Sequence, residues 1–250
     1  LLLVTLVSTF LLSCSSNRQI VYFKDSVDDN FYKVDYSSFN DNNIEPGDIL
    51  KIDVQTVIPE AALPYNKNSL QSPLASSVDL LKIDGYVVDE NKMIHYPVLG
   101  EISVENLSEN QLSSTIRQLL VFNGHLTDPH VKVRRINSKF TVLGEVRNPG
   151  TFPFYDKQLN IFQAIGYAGD LNIFGKRKNI TLIREENGLR KVYKVSLNKS
   201  ELLNKPYYVI KNNDVIIIEP NFSKVKSAGF IGSPSSIASL SSLLLSITLL

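Results

Sequence analysis

The chain has 250 residues, 43% of them apolar, with 26 basic against 25 acidic side chains. That length suits one large domain or two or three small ones, and the apolar share is enough for ordinary cores. The near balance of charge excludes a global field that would gather nucleic acid or an anionic membrane.

Leu1 to Leu12 is an apolar run without charge. Its length fits the apolar region of a secretory signal, and with neither a basic region nor an initiator Met before it the sequence is expected to begin inside that signal, residues 1–13. Cys14 is the only cysteine, so an exported chain has no internal disulfide to make with it. Leu11-Leu12-Ser13-Cys14 resembles the lipobox of bacterial lipoproteins, in which the cysteine carries diacylglycerol and becomes the mature N-terminus. A buried free cysteine behind an uncleaved anchor is the alternative. Each buried methylene contributes ~0.8 kcal/mol and stable anchoring takes more than one chain, a condition that diacylglycerol plus an amide-linked palmitate meets. Residues 14–43 then form a lipidated tether and N-terminal segment. Ser15 after the cysteine, instead of aspartate, suits sorting to an outer membrane.

The middle of the chain repeats its own ideas. "EPGDILKIDV" at 45–54 and "KNNDVIIIEP" at 211–220 each read as a tight turn, an Asp and a strand, with Asn213 where the first copy has Gly47. Between Thr56 and Val78, Pro59, Pro64 and Pro73 among Asn and Ser predict a long loop. "PVLGEI" at 97–102 and "TVLGEV" at 141–146 place Gly100 and Gly144 inside apolar runs, as where a strand bends or another backbone comes close. A helix follows each. The first starts at Ser108, which makes a capping box with Gln111, and shows Leu112, Ile116, Leu119 and Leu120 on one face. The second starts near Asn160, buries Ile161, Ala164, Ile165 and Ala168, and stops at Gly169. Asn148-Pro149-Gly150 predicts a reversal, and "ENGLRK" at 186–191 a hairpin. The basic clusters at 131–139 and 175–179 lack interleaved aromatics and read as solvated faces instead of a phosphate-binding surface. The reading is α+β: two small modules, 44–136 and 139–220, each of a few strands and one helix.

Ser233 to Leu250 is uncharged, with leucine and isoleucine interspersed with serine. On a helix Ser235, Ser239, Ser242 and Ser246 fall on one narrow stripe, with Ile237, Leu240, Leu244 and Ile247 on the far side. Pro234 is placed to start that helix, which at 1.5 Å per residue would be roughly 25 Å long, nearly a hydrocarbon layer of ~30 Å. Residues 221–250 are therefore expected to be a linker and a single membrane-spanning amphipathic helix. The stripe has three readings: close helix–helix contact, a water-facing wall inside a ring of helices, or a plain anchor whose serines bond back to their own carbonyls. A ring of four helices leaves about 4 Å of lumen and one of eight about 16 Å, and a hydrated sugar chain needs the larger.

Catalytic patterns are missing. His125, Asp128 and His130 in "HLTDPH" sit on a Pro-containing loop, not at the spacing of helical metal ligands, and no metal is expected. No nucleophile elbow, Walker A loop or dinucleotide fingerprint occurs.

"EPGDILKIDV", "DGYVVDENKMIHYPVLGEISVENLSENQLSSTIRQLL" and "DPHVKVRR" resemble the polysaccharide export domain of Wza-like outer-membrane lipoproteins, and "FTVLGEVRNPGTF" to "NNDVIIIEP" resembles the soluble ligand-binding β-grasp (SLBB) module that follows it. Pro46, Gly47, Asp48, Gly85, Pro97, Gly100 and Pro129 carry the first motif; Gly144, Pro149, Gly150, Ala168 and Gly169 carry the second. Asp170 stands where a second glycine is common, Asn213 replaces a turn glycine, and only one β-grasp module is present. The resemblance implies a non-enzymatic subunit of a homo-oligomeric outer-membrane ring, lipid-anchored at Cys14 with most of the chain in the periplasm. Such a ring would export capsular or extracellular polysaccharide, partnered by an inner-membrane polysaccharide co-polymerase. It implies no cofactor beyond the covalent lipid, and no nucleic acid. The alternatives are a non-porating, glycan-binding envelope lipoprotein and a periplasmic glycan hydrolase.

Overall fold

A computed structural model describes residues 21–23, 43–67, 85–156, 158–186, 188–227 and 242. Cys14, most of its tether, Pro73, and Ser235, Ser239 and Ser246 lie outside the described residues. Ser242 alone of the tail is described; it is helical and exposed. Among the described residues no helix is long and apolar enough to cross a membrane.

The first module is built on β1 (Ile49–Gln55), whose alternation puts Leu50, Ile52 and Val54 in the core. It pairs antiparallel with β2 (Tyr86–Val87) on one side and β5 (His130–Arg135) on the other. Between β1 and β2 the expected loop contains structure: α1 (Pro59–Ala62) and a 3-10 turn, Leu63–Tyr65. Both prolines sit at the start of their helical turns, where a missing N–H costs nothing, so here they open helices. β3 (Met93–Tyr96) and β4 (Gly100–Ser103) form a separate hairpin.

The "PVLGEI" reading is corrected accordingly. Pro97 to Leu99 is turn, and Gly100 opens β4 instead of bending a strand. α2 (Glu109–Phe122) begins with the capping box of Ser108 and Gln111 and buries Leu112, Ile116 and Leu120. Each such side chain contributes about 1.5–3 kcal/mol when removed from water.

The second module is a five-stranded sheet in the order β7, β6, β10, β8, β9. Its strands are β6 (Lys139–Gly144), β7 (Gly150–Pro153), β8 (Ile180–Glu186), β9 (Leu189–Val195) and β10 (Val215–Ile218). β10 runs parallel to β6, and every other pair in the sheet is antiparallel. α3 (Ile161–Tyr167) covers the sheet, started by a second capping box, Asn160 with Gln163. The chain ends its described run in α4 (Phe222–Ser227).

Gly144 is where the parallel pair closes. A Cβ there would lie 2.0 Å from the Ile218 carbonyl oxygen, so only glycine lets β10 approach, and φ is +92°. Gly150, expected to make a reversal, is instead the extended first residue of β7 opposite Val142; its φ is not positive. The reversal that joins β6 to β7 lies within residues 145–149.

Each module has its own hydrophobic core, one drawn from Ile44 to Val133 and one from Phe140 to Ile218. Val21 to Phe23 crosses to the second: Phe23 N donates to the Leu197 carbonyl at 3.2 Å and Asn198 Nδ2 to the Val21 carbonyl at 2.8 Å. The Tyr22 and Phe23 rings pack on Phe162. The Tyr22 hydroxyl donates to Asp170, the non-glycine residue at φ +72°. That contact gives the departure from glycine a purpose: the carboxylate secures the N-terminal segment, offsetting a left-handed backbone that costs roughly 1–2 kcal/mol.

Candidate functional site

The two Asp-containing turns are built alike and face each other. In the first, Gly47 takes φ +85°, Asp48 N donates to the Glu45 carbonyl, and Asp48 Oδ2 accepts from Glu45 N at 2.9 Å. In the second, Asn213 takes φ +64°, and Asp214 Oδ2 accepts from Lys211 N at 2.8 Å. Each carboxylate closes its own turn and is then buried: Asp48 is 3% exposed and Asp214 fully enclosed.

A buried carboxylate needs a cation. Asp48 has Arg135, whose Nε is 3.0 Å from Oδ2 and whose Nη2 donates to the Asn43 carbonyl. Asp214 has Arg184, which donates from Nε to Oδ1 at 2.9 Å and from Nη2 to Oδ2 at 2.7 Å. Arg184 also donates to the Val209 and Pro206 carbonyls, so its guanidinium is almost fully spent inside the protein. Burial pushes both Asp carboxyls up, and the arginines and backbone N–H groups pull against it.

Asn212 joins the turns. Its Nδ2 donates to Asp48 Oδ1 at 2.9 Å and its Oδ1 accepts from Lys139 N at 2.9 Å. Asn137, in the connector, donates to the Gly47 carbonyl and accepts from Ile49 N. These bonds contribute about 0.5–1.5 kcal/mol apiece, more where a carboxylate accepts. Together they tie the connector and both turns into one polar seam.

Outside the seam lies a cleft of about 910 Å³, walled by Glu45 and Lys92 on the first module and by Glu186, Lys191, Tyr193 and Asn213 on the second. Glu186 takes hydrogen bonds from Lys191 at 2.9 Å and Lys211 at 2.8 Å. Burial opposes its ionisation, but the two lysines outweigh burial and hold the carboxyl down at about 2. Glu45 faces Lys92 at 3.8 Å, and Glu185 takes Arg190. A general acid needs a carboxyl that keeps its proton near neutral pH; the carboxylates of this cleft are instead engaged with cations.

The structure places the sequence-derived residues unevenly. Pro46, Gly47 and Asp48 are at the seam. Gly100, Gly144, Pro149, Gly150 and Gly169 shape strands and helix ends away from it. His125 packs against the Tyr65 ring, and Asp128 pairs with Arg117 at 2.9 Å. No group of three or more His, Cys, Asp or Glu among the described residues is placed to hold a metal. The basic clusters are not simply solvated: Arg135 is at the seam, and Arg177, 6% exposed, stacks over Tyr22 at 5.5 Å. Arg184, Asn212 and Asn137 escape sequence reading. Arg184 left one signal, a cation at an inward-facing position of the alternating strand "ITLIREE".

A family model for the polysaccharide biosynthesis/export protein matches residues 37–135, and one for the SLBB domain matches residues 139–193. No curated protein matches the chain. Both families are export or binding domains and not known enzymes. The chain belongs to the polysaccharide biosynthesis/export family, in the Wza-like arrangement of an export domain followed by an SLBB domain, and its role lies in polysaccharide export.

Proposed function

We propose that this protein is an outer-membrane lipoprotein subunit of a homo-oligomeric channel that exports capsular or extracellular polysaccharide. Lipid on Cys14 holds each copy to the inner leaflet of the outer membrane, the two modules form periplasmic rings, and the C-terminal helices form the exit. The serine stripe turns toward water there, since a passage for a polymer needs width and polar walls more than a tight site. An inner-membrane polysaccharide co-polymerase supplies gating or drive.

The observation that supports assembly is a pair of unlike apolar patches. The first module exposes Val57, Ile58 and Leu63 near α1 and Val121 and Phe122 at the end of α2; the Tyr65–His125 ring contact brings the two segments to one end. The second module exposes Ile173, Phe174, Phe222 and Val225, where α4 begins. Two different patches suit a head-to-tail contact, which closes into a ring if the rotation permits.

The test uses the lipidated full chain extracted from envelopes in mild detergent. A large symmetric oligomer that conducts in a planar bilayer is expected, and Phe122→Glu should shift it toward monomer. A wild-type protein that stays monomeric and non-conducting would overturn the proposal.

A further inference from the structure

The basic run that begins at Val131 has a definite place in the first module. Leu50, Ile52, Val131 and Val133 enter the core, so alternation along β1 and β5 puts Lys51, Asp53, Lys132 and Arg134 on the outer face of the sheet. Lys51 lies directly opposite Arg134, and Asp53 opposite Lys132. Like charges opposed across two strands repel. Asp53 is the one carboxylate among these four side chains and reaches Lys51 at 3.8 Å. Lys132 and Arg134 make no ion pair with any described residue. Beside them the face turns apolar, where Ile49 pairs with Val87, which is 60% exposed.

The β3–β4 hairpin has the opposite character. Ile94, Tyr96 and Ile102 enter the same core, while Glu101, and Glu105 just beyond β4, are exposed. Neither glutamate makes an ion pair with any described residue. At the tip Val98 takes φ +66°, and Leu99 N donates to the Pro97 carbonyl at 2.8 Å. A three-residue turn with a β-branched residue in the left-handed region is strained. It holds the Val98 side chain 57% exposed. Strain of this kind collects where a surface engages a ligand or partner.

The two surfaces turn away from one core, so they cannot neutralise each other within a copy. Each combines an exposed valine with uncompensated charge, and the charges are of opposite sign. A second copy therefore supplies both the apolar and the ionic complement in one head-to-tail contact.

We propose that the first modules of neighbouring copies join through these faces. Val98 of one copy packs on the Ile49–Val87 strip of the next, and Glu101 and Glu105 face Arg134 and Lys132. This rests on the reading of the chain as a homo-oligomeric subunit, and it adds a charged contact to the apolar patches.

The pair Lys132→Glu and Arg134→Glu reverses one face, and the pair Glu101→Lys and Glu105→Lys reverses the other. On the lipidated full chain in mild detergent, sedimentation should show each reversed variant self-associating at least about tenfold more weakly than wild type. An equimolar mixture of the two variants should recover the oligomer, because every face then meets its complement. All four side chains are exposed, so thermal melts of the variants should match the wild type. Val98→Gly relieves the left-handed strain and removes the apolar contact. It should melt no lower than wild type yet associate about three- to tenfold more weakly, a split that a purely structural turn would not show. Association that ignores either reversal, or a mixture no larger than its parts, would sink the pairing and leave the basic face to a different acidic partner. Conductance is read on the same samples. A wild type that oligomerises and conducts while the reversals change nothing sinks this inference alone; a monomeric, non-conducting wild type sinks the export channel and the pairing with it.

Discussion

Arg184 and Asp214 are the sharpest test of how the second module is held together. Arg184 is 2% exposed and Asp214 fully buried, and the guanidinium meets the carboxylate through two bonds at 2.9 and 2.7 Å. Asp214→Asn removes the charge and sets an NH₂ against a guanidinium that only donates, leaving the cation uncompensated; the expected loss is about 3–5 kcal/mol. Arg184→Met strands the carboxylate and also frees the Val209 and Pro206 carbonyls, for a similar loss of about 4–5 kcal/mol. The double variant buries no charge, and its Asn side chain still accepts from Lys211 N, so it should cost about 3–5 kcal/mol, far below the sum of the singles. For a chain of this size each kcal/mol moves the melting point by about 2–4 °C, so each single variant should melt roughly 6–20 °C lower. Thermal and urea unfolding of the purified protein at pH 7, followed by circular dichroism, reads all four corners of the cycle. Losses that add to within about 0.5 kcal/mol would refute the account, because they would show that the two groups do not interact.

Gly144→Ala should cost about 2–6 kcal/mol, since the new Cβ meets the Ile218 carbonyl and the backbone is left-handed. Gly100→Ala has a comparable φ but nothing within 4 Å, and should cost only about 1–2 kcal/mol; equal melting points for the two would remove the argument from close approach. Glu186, held at about 2 against its ordinary 4.5, contributes stability that is fully present above pH 4.5 and lost as pH falls toward 2. Because water reaches this cluster, the share is about 1 kcal/mol. The urea midpoint of Glu186→Gln should thus lie below that of the native chain at pH 7 and converge with it near pH 2, and a gap independent of pH would refute the pairing.

Much of the local structure was legible because its causes are local. Ser108 and Gln111 lie within one turn of each other, so the capping box and the buried face of Leu112, Ile116 and Leu120 can be read directly from spacing. The hairpin at 186–191 and the paired turns at Gly47 and Asn213 follow for the same reason, since turn residues declare their backbone needs in sequence. Family membership was legible too, because it is carried by short motifs in a fixed order.

The prolines after Thr56 misled because proline is compatible both with a loop and with the first turn of a helix, and only packing against β1 decides between them. The seam was illegible for a different reason. Asp48 meets Asn212 across a sequence separation of 164, and Arg184 meets Asp214 across 30. A buried charge chooses its partner by desolvation, which forces it toward whichever complementary group the fold brings within hydrogen-bond reach. Spacing along the chain carries no record of that choice. By itself the sequence determined the capped helices, the turns and the family of this chain; the partner of each buried carboxylate, and the cleft that opens between the modules, were decided only by the tertiary structure, where dehydration makes an unpaired charge intolerable.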